Sequence, residues 1–186
     1  GRADGRVAIP LGEAQPVRCE LVDHRGHTAE GSVAATVAAK IGEAEIESLV
    51  ASGELQKLTG EAANGQRLLT KAATTLTTAR SAVESDPDSA FVLAYDASRQ
   101  ALTALLAHQG LRPTTKGGHY AVERAARAQF GQGFRQFGAL RRRRNELEYP
   151  ERPGDDADIT EAAEAVEKSE AIIAAASGLL DQLGLF

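Results

Sequence analysis

Tryptophan and methionine are absent, and aromatic residues reach only 4% of the 186 residues. Large rings cannot organise such a core. It has to close through small side chains, which favours helices packed in near contact. A single cysteine, Cys19, excludes an internal disulfide and makes a reducing compartment the default. No apolar run approaches the ~18 residues that a membrane-spanning helix needs, and no charged-then-apolar leader opens the chain. A soluble, cytoplasmic protein with no membrane partner is therefore expected. Glycine is missing from residues 66 to 109, although the first 65 residues hold nine of the eighteen. Looser structure belongs at the front, and uninterrupted helix behind it.

What is present agrees. Apolar residues make up 42% and charged residues 25%, the balance of a globular chain. The length fits one domain with an appendage, divided here into residues 1–42, an appendage without an evident role, and residues 43–186, a helical domain. All six prolines (10, 16, 87, 113, 150 and 153) stand between periodic segments, as expected of residues that break helices.

Residues Gln66 to Val83 place Leu68, Leu69, Ala72, Leu76, Ala79 and Val83 at helical spacing, and Ser85-Asp86-Pro87-Asp88 makes a turn and cap for the next segment. Ser89 to His108 repeats the pattern, and Gly110 stands where a helix closes. Leu111 to Gly118 reads as loop. Tyr120 to Phe130 and Phe134 to Glu148 form a third arm broken at Gly131–Gly133. A last helix, capped by Asp158 or Thr160, carries Ile159, Ala163, Val166, Ile173, Ala176, Leu180 and Leu183 on one stripe. The expected fold is all-α: an antiparallel, up-and-down four-helix bundle, preceded by an amphipathic helix over Glu43 to Leu58, interrupted at Gly53, that packs outside it. In the front segment Val17 to Leu21 alternates as a strand does, with Val7 to Leu11 available to pair. Either a hairpin or a loosely structured segment satisfies it.

Charge is unevenly spread. Between Glu123 and Arg144 there are seven arginines (124, 127, 135 and 141 to 144) against Glu123 alone, a local +6. Asn145 to Glu170 holds ten acids against Arg152 and Lys168, a local −8. The net −5 argues against a surface that coats nucleic acid throughout, and leaves the basic stretch as a local patch. The apolar stripe from Phe134, Phe137 and Leu140 to Leu147 passes through position 143 or 144, where an arginine stands. A buried, unpaired guanidinium is very costly. That arginine either snorkels outward beside the (i, i+4) pairs Arg142–Glu146 and Arg144–Glu148, or serves an anion site.

The order of parts resembles the HEPN superfamily of small four-helix domains. The parts are AYDASRQALTALLAHQGLRPT on the second helix, GGH opening the third, and LRRRRNELEYP at the third arm's end. The similarity covers roughly residues 43 to 183 and looks closest to an actinobacterial branch of short stand-alone proteins. The family commonly carries an arginine, a polar residue, three variable residues and a histidine at this helix end. Many members are metal-independent endoribonucleases of toxin–antitoxin or defence systems. Arg144 and Asn145 match the first two positions; Tyr149 stands in place of the histidine. The resemblance thus implies a catalytic set of Arg144, Asn145 and Tyr149, with RNA bound by Arg141, Arg142, Arg143, His119 and Lys116. It also implies a homodimer that pairs two such ends, and a partner such as a cognate antitoxin or a minimal nucleotidyltransferase. A tyrosine is a poor base at neutral pH. Cleavage is then weak or absent, unless His119 or His108 supplies an imidazole across a dimer seam; otherwise the domain is an inactive interaction module for a partner or a nucleotide.

Other patterns carry less. Cys19, His24 and His27 lack a second cysteine for a zinc site. Gly117-Gly118 beside Lys116 could receive phosphate at a helix start, or simply turn the chain. Asp96 is a candidate partner for the arginine site. No Walker loop, dinucleotide fingerprint or nucleophile elbow occurs, so no cofactor or metal is expected.

Overall fold

The computed structural model describes residues 42–150 and 154–186 and is mostly helical. The front hairpin and the Cys19, His24 and His27 group lie outside the described residues.

Helix α1, Glu43–Ala51, buries Ile46 and Leu49 completely. It stops well before the expected Leu58, because Gly53 adopts a left-handed φ of +74° that continues no helix. Leu55 reaches the core instead from a strand, β1 (Leu55–Lys57), paired antiparallel with β2 (Leu111–Pro113) in the register Leu55↔Pro113, Gln56↔Arg112, Lys57↔Leu111. Part of the expected 111–118 loop is thus strand. The same junction is tied by polar bonds: Thr114 Oγ1 donates to Gly53 O at 2.6 Å and Lys116 Nζ to Ser52 O at 2.7 Å.

Helices α2 (Gln66–Ala82) and α3 (Pro87–His108) follow the sequence pattern. On α2 the inward stripe is Leu69, Ala72, Leu76 and Ala79, while Thr70, Thr74, Thr77 and Thr78 face out and donate to carbonyls one turn back. Asp86 caps α3 by accepting the Ser89 N–H at 3.1 Å, with Pro87 pre-set in the first turn. That hydrogen bonding to Ser89 holds the Asp86 carboxyl below its ordinary range. Helix α3 is the central element, burying residues on nearly every side, Phe91, Tyr95, Leu102, Leu105 and Leu106 among them.

The third arm is α4 (Gly118–Phe130), a 3-10 turn over Gly131–Phe134, and α5 (Arg135–Glu148). Helix α6, Ile159–Leu180, is capped by Asp158, whose carboxylate accepts the Glu161 N–H at 2.8 Å. Its buried stripe is Ala162, Ala165, Val166, Ser169, Ile172, Ala176 and Leu180. Ile159, expected inside, is 51% exposed, and Ala163 and Ile173 sit at the margin. Val166, Ala176 and Leu180 are buried as expected, while Ala162, Ala165, Ile172 and Ser169 take the remaining inward positions; the Ser169 Oγ donates to Ala94 O at 2.8 Å inside the core. A hydroxyl satisfied by a backbone carbonyl is acceptable there.

Helices α2, α3 and α6 meet along alanines. Ala72, Ala79, Ala94, Ala97, Ala101, Ala104, Ala165 and Ala176 have no exposed surface. This is the small-residue seam that an aromatic-poor sequence requires. Among the described residues no helix is long and apolar enough to cross a membrane.

Candidate functional site

Most of the arginine stretch is already neutralised inside the chain. Arg124 reaches Glu45 at 2.7 Å and Glu54 at 3.3 Å, which fastens α4 to α1; the hydrogen bond to Glu45 leads in raising its pKa. Arg141 pairs with Glu123 at 2.5 Å and lies over the Tyr120 ring. Arg143 makes two bonds to the Glu161 carboxylate, Nε to Oε1 at 2.6 Å and Nη2 to Oε2 at 2.9 Å, and also touches Glu146. The Glu161 bond leads the causes that raise its pKa still further. Of the two arginines at the stripe's crossing, Arg143 thus meets a carboxylate on α6. Arg144 pairs with Glu148 at 2.6 Å, as its spacing predicted. The companion pair Arg142–Glu146 does not form, because Glu146 turns to Arg143.

A polar centre lies where α3, α4 and α5 meet. Tyr95, fully buried, stacks on Phe137 at 5.4 Å and packs against the His119 ring at 5.6 Å. The Arg144 guanidinium lies 5.8 Å from the centre of the same tyrosine ring. Asp96, on α3 beside Tyr95, pairs with Arg99 at 3.0 Å rather than with Arg144. Two buried polar atoms here, Tyr95 Oη and Arg144 Nε, make no hydrogen bond among the described residues. His119 is half-buried, and its pKa is lowered, first by that burial and then by the Arg99 and Arg144 charges, with Asp96 and Glu148 opposing. From an ordinary value of about 6.5, a lowered pKa leaves the imidazole neutral at pH 7. Burial also pushes the Tyr95 phenol up, so it stays protonated.

The three residues that the resemblance implies as catalytic lie at the exposed end of α5. Asn145 is exposed and only grazes Arg144, at 3.3 Å. Tyr149 ends α5 at φ −131° and is 75% exposed, with no side-chain bond to Arg144. Lys116 is spent on the Ser52 carbonyl. His119 instead comes to Arg144 within one chain, through Tyr95, without needing a dimer seam. His108 ends α3 thirteen residues beyond Tyr95, about 20 Å along the helix, and is no part of this centre.

Within the arginine stretch, three have no carboxylate partner among the described residues: Arg127, Arg135 and Arg142. All three line one cleft of about 210 Å³ in the crook between α4 and α5. Positions 135 and 142 are two turns apart on one helix face, and Arg127 comes from the last turn of α4. Arg142 was singled out from the sequence. The other two were missed because nothing local separates a free arginine from a paired one.

No three His, Cys, Asp or Glu side chains gather as metal ligands among the described residues. Comparison of the chain with protein-family models, with curated proteins and with solved structures returns no match.

Proposed function

We propose that this chain is a HEPN-type RNA-binding protein of a bacterial toxin–antitoxin or defence system that cleaves RNA without a metal. In this reading α2, α3, the α4–α5 arm and α6 are the four arms of an up-and-down antiparallel bundle, and two copies pair through the ends of α5. The carrying observation is the neutral His119 imidazole set beside Arg144 on the Tyr95 ring. It offers the proton acceptor that Tyr149 cannot supply.

The chemistry is internal transfer. The RNA 2′-oxygen bonds to the adjacent phosphorus and the bond to the 5′-oxygen breaks, leaving a 2′,3′-cyclic phosphate and a 5′-hydroxyl. His119 takes the 2′-hydroxyl proton, and the leaving oxygen is reprotonated from solvent. Arg144, exchanging part of its pairing with Glu148 for the phosphate, stabilises the charge that develops on the phosphoryl oxygens.

Incubation of total RNA with the purified protein in chelator tests this. Fragments should form with the wild type and with Tyr149→Phe. They should fall by about 10²-fold or more with His119→Gln, since general base help is of that size, and be lost with Arg144→Ala. The rate should rise with pH along a limb centred below 6.5, as the His119 shift requires.

A second reading, the inactive interaction module, draws on the exposure of Tyr149 and on the ion pair that occupies Arg144. Absence of fragments with the wild type would favour it. A partner co-purifying with the wild type and lost with Arg142→Glu would then identify the binding face; Arg141, tied to Glu123, is a poorer probe.

A further inference from the structure

The cleft between α4 and α5 adjoins the Tyr95 centre only through Phe137, which lines the cleft and stacks on Tyr95. Its wall holds Arg127, Arg135 and Arg142, none with a carboxylate partner among the described residues, and its floor is apolar, with Phe134 and Phe137 buried beneath. The one acid in the lining, Glu123, is neutralised by Arg141. The net charge around the cleft is therefore close to three positive units. Helix α5 also begins in this wall, with no side-chain cap at Phe134 and no acid in its first turn, so its positive end adds to the field.

Gly138 keeps the cleft open. It lies on the same face of α5 as Arg135 and Arg142, and a Cβ there would come within 2.5 Å of Glu123 Oε1. A mid-helix glycine costs about 1 kcal/mol against alanine. Here it lets Glu123 approach α5, pair with Arg141, and leave the other three guanidiniums uncompensated.

Three unpaired guanidiniums cost folding electrostatic repulsion, and a ligand that supplies concentrated negative charge relieves it. A phosphodiester brings one charge, whereas a phosphomonoester brings about −1.5 to −2 at pH 7 and fits the planar donor forks of arginine. A cleft of about 210 Å³ encloses one such group rather than tracking a strand. We infer that Arg127, Arg135 and Arg142 form a binding site for a nucleotide phosphomonoester, either the 5′-phosphate of an RNA or a free nucleoside monophosphate. For the RNA 5′ end, the inference rests on the RNA-binding reading above.

The test uses a 2′-O-methyl RNA ten-mer, which cannot be cleaved, labelled at its 3′ end and made with a 5′-phosphate or a 5′-hydroxyl. Anisotropy in chelator should show the phosphorylated strand binding about tenfold tighter. Adenosine 5′-monophosphate should displace it and adenosine should not. The preference should vanish in the Arg127→Ala/Arg135→Ala/Arg142→Ala protein, whose fold circular dichroism verifies, and survive in Arg67→Ala, at an exposed position of α2 outside the cleft. The monophosphate binding where neither RNA does would assign the site to free nucleotide and overturn the RNA reading alone. Equal affinity for the two strands with no displacement by the monophosphate overturns the site, as does a preference that persists in the triple variant. Loss of RNA cleavage with His119→Gln is read separately and bears only on the nuclease centre.

Discussion

The seam of α2, α3 and α6 and the arm of α4 and α5 are held together by opposite means. In the seam, fully buried alanines bring helices close, and the Ser169 hydroxyl inside it bonds to the Ala94 backbone carbonyl. Along the arm, burial is partial and fastening comes from carboxylates reached across space: Glu45 and Glu54 of the α1 region, Glu123 of α4 and Glu161 of α6. The contrast teaches where a sequence pattern has authority. Periodicity reports burial. It does not report which acid an arginine will meet.

Substitutions can press on that contrast from both sides. The largest effect is expected in the seam, where Ala101→Leu adds three carbons to a position with no exposed surface. Overfilling of this kind costs about 1–3 kcal/mol, and the upper end should appear as a lowered urea midpoint. Next comes Arg143→Ala, which removes both bonds to Glu161 and strands a partly buried carboxylate. About 1–2 kcal/mol should be lost in the same measurement.

Smaller again is a pH effect at His119. An unfolded imidazole takes up its proton near 6.5, whereas the folded one does so lower. Between those two values the unfolded chain binds more protons. Stability is therefore complete above about pH 6.5 and declines as the pH is brought down to the folded value. His119→Phe, which keeps a ring against Tyr95, should flatten that decline in melts recorded from pH 7 to pH 5. The smallest change belongs to Arg142→Ala. With no partner to lose, it should stay within about 0.5 kcal/mol of the wild type. A cost there equal to that of Arg143→Ala would erase the distinction between paired and free arginines.

These differences also explain what the sequence made legible. Helices α2 and α3 were readable because caps and stripes are local: Asp86-Pro87 starts α3 and Asp158 starts α6, both by bonds that span three residues. The shortening of α1 was not, because Leu55 becomes a strand only through β2, more than fifty residues away. The α6 stripe was legible at Val166, Ala176 and Leu180, while Ser169 looks polar in sequence and is core in space. In the candidate site, neighbours in sequence and neighbours in space differ around Arg144. Asn145 and Tyr149 follow it in the chain but point to solvent, while His119 joins it only because α4 folds back across Tyr95.

The β1–β2 pair has a consequence for how the protein reaches this state. The segment between the two strands contains all of α2 and α3, so the ladder closes a long loop. Loop closure is entropically costly, and contacts distant in sequence slow folding. The α2–α3 hairpin, whose contacts are nearest in sequence, shortens that path once it has formed. On loop-closure grounds, docking of α1 onto α4 and the polar bonds at Gly53, Ser52 and Glu54 are expected to follow formation of the α2–α3 hairpin.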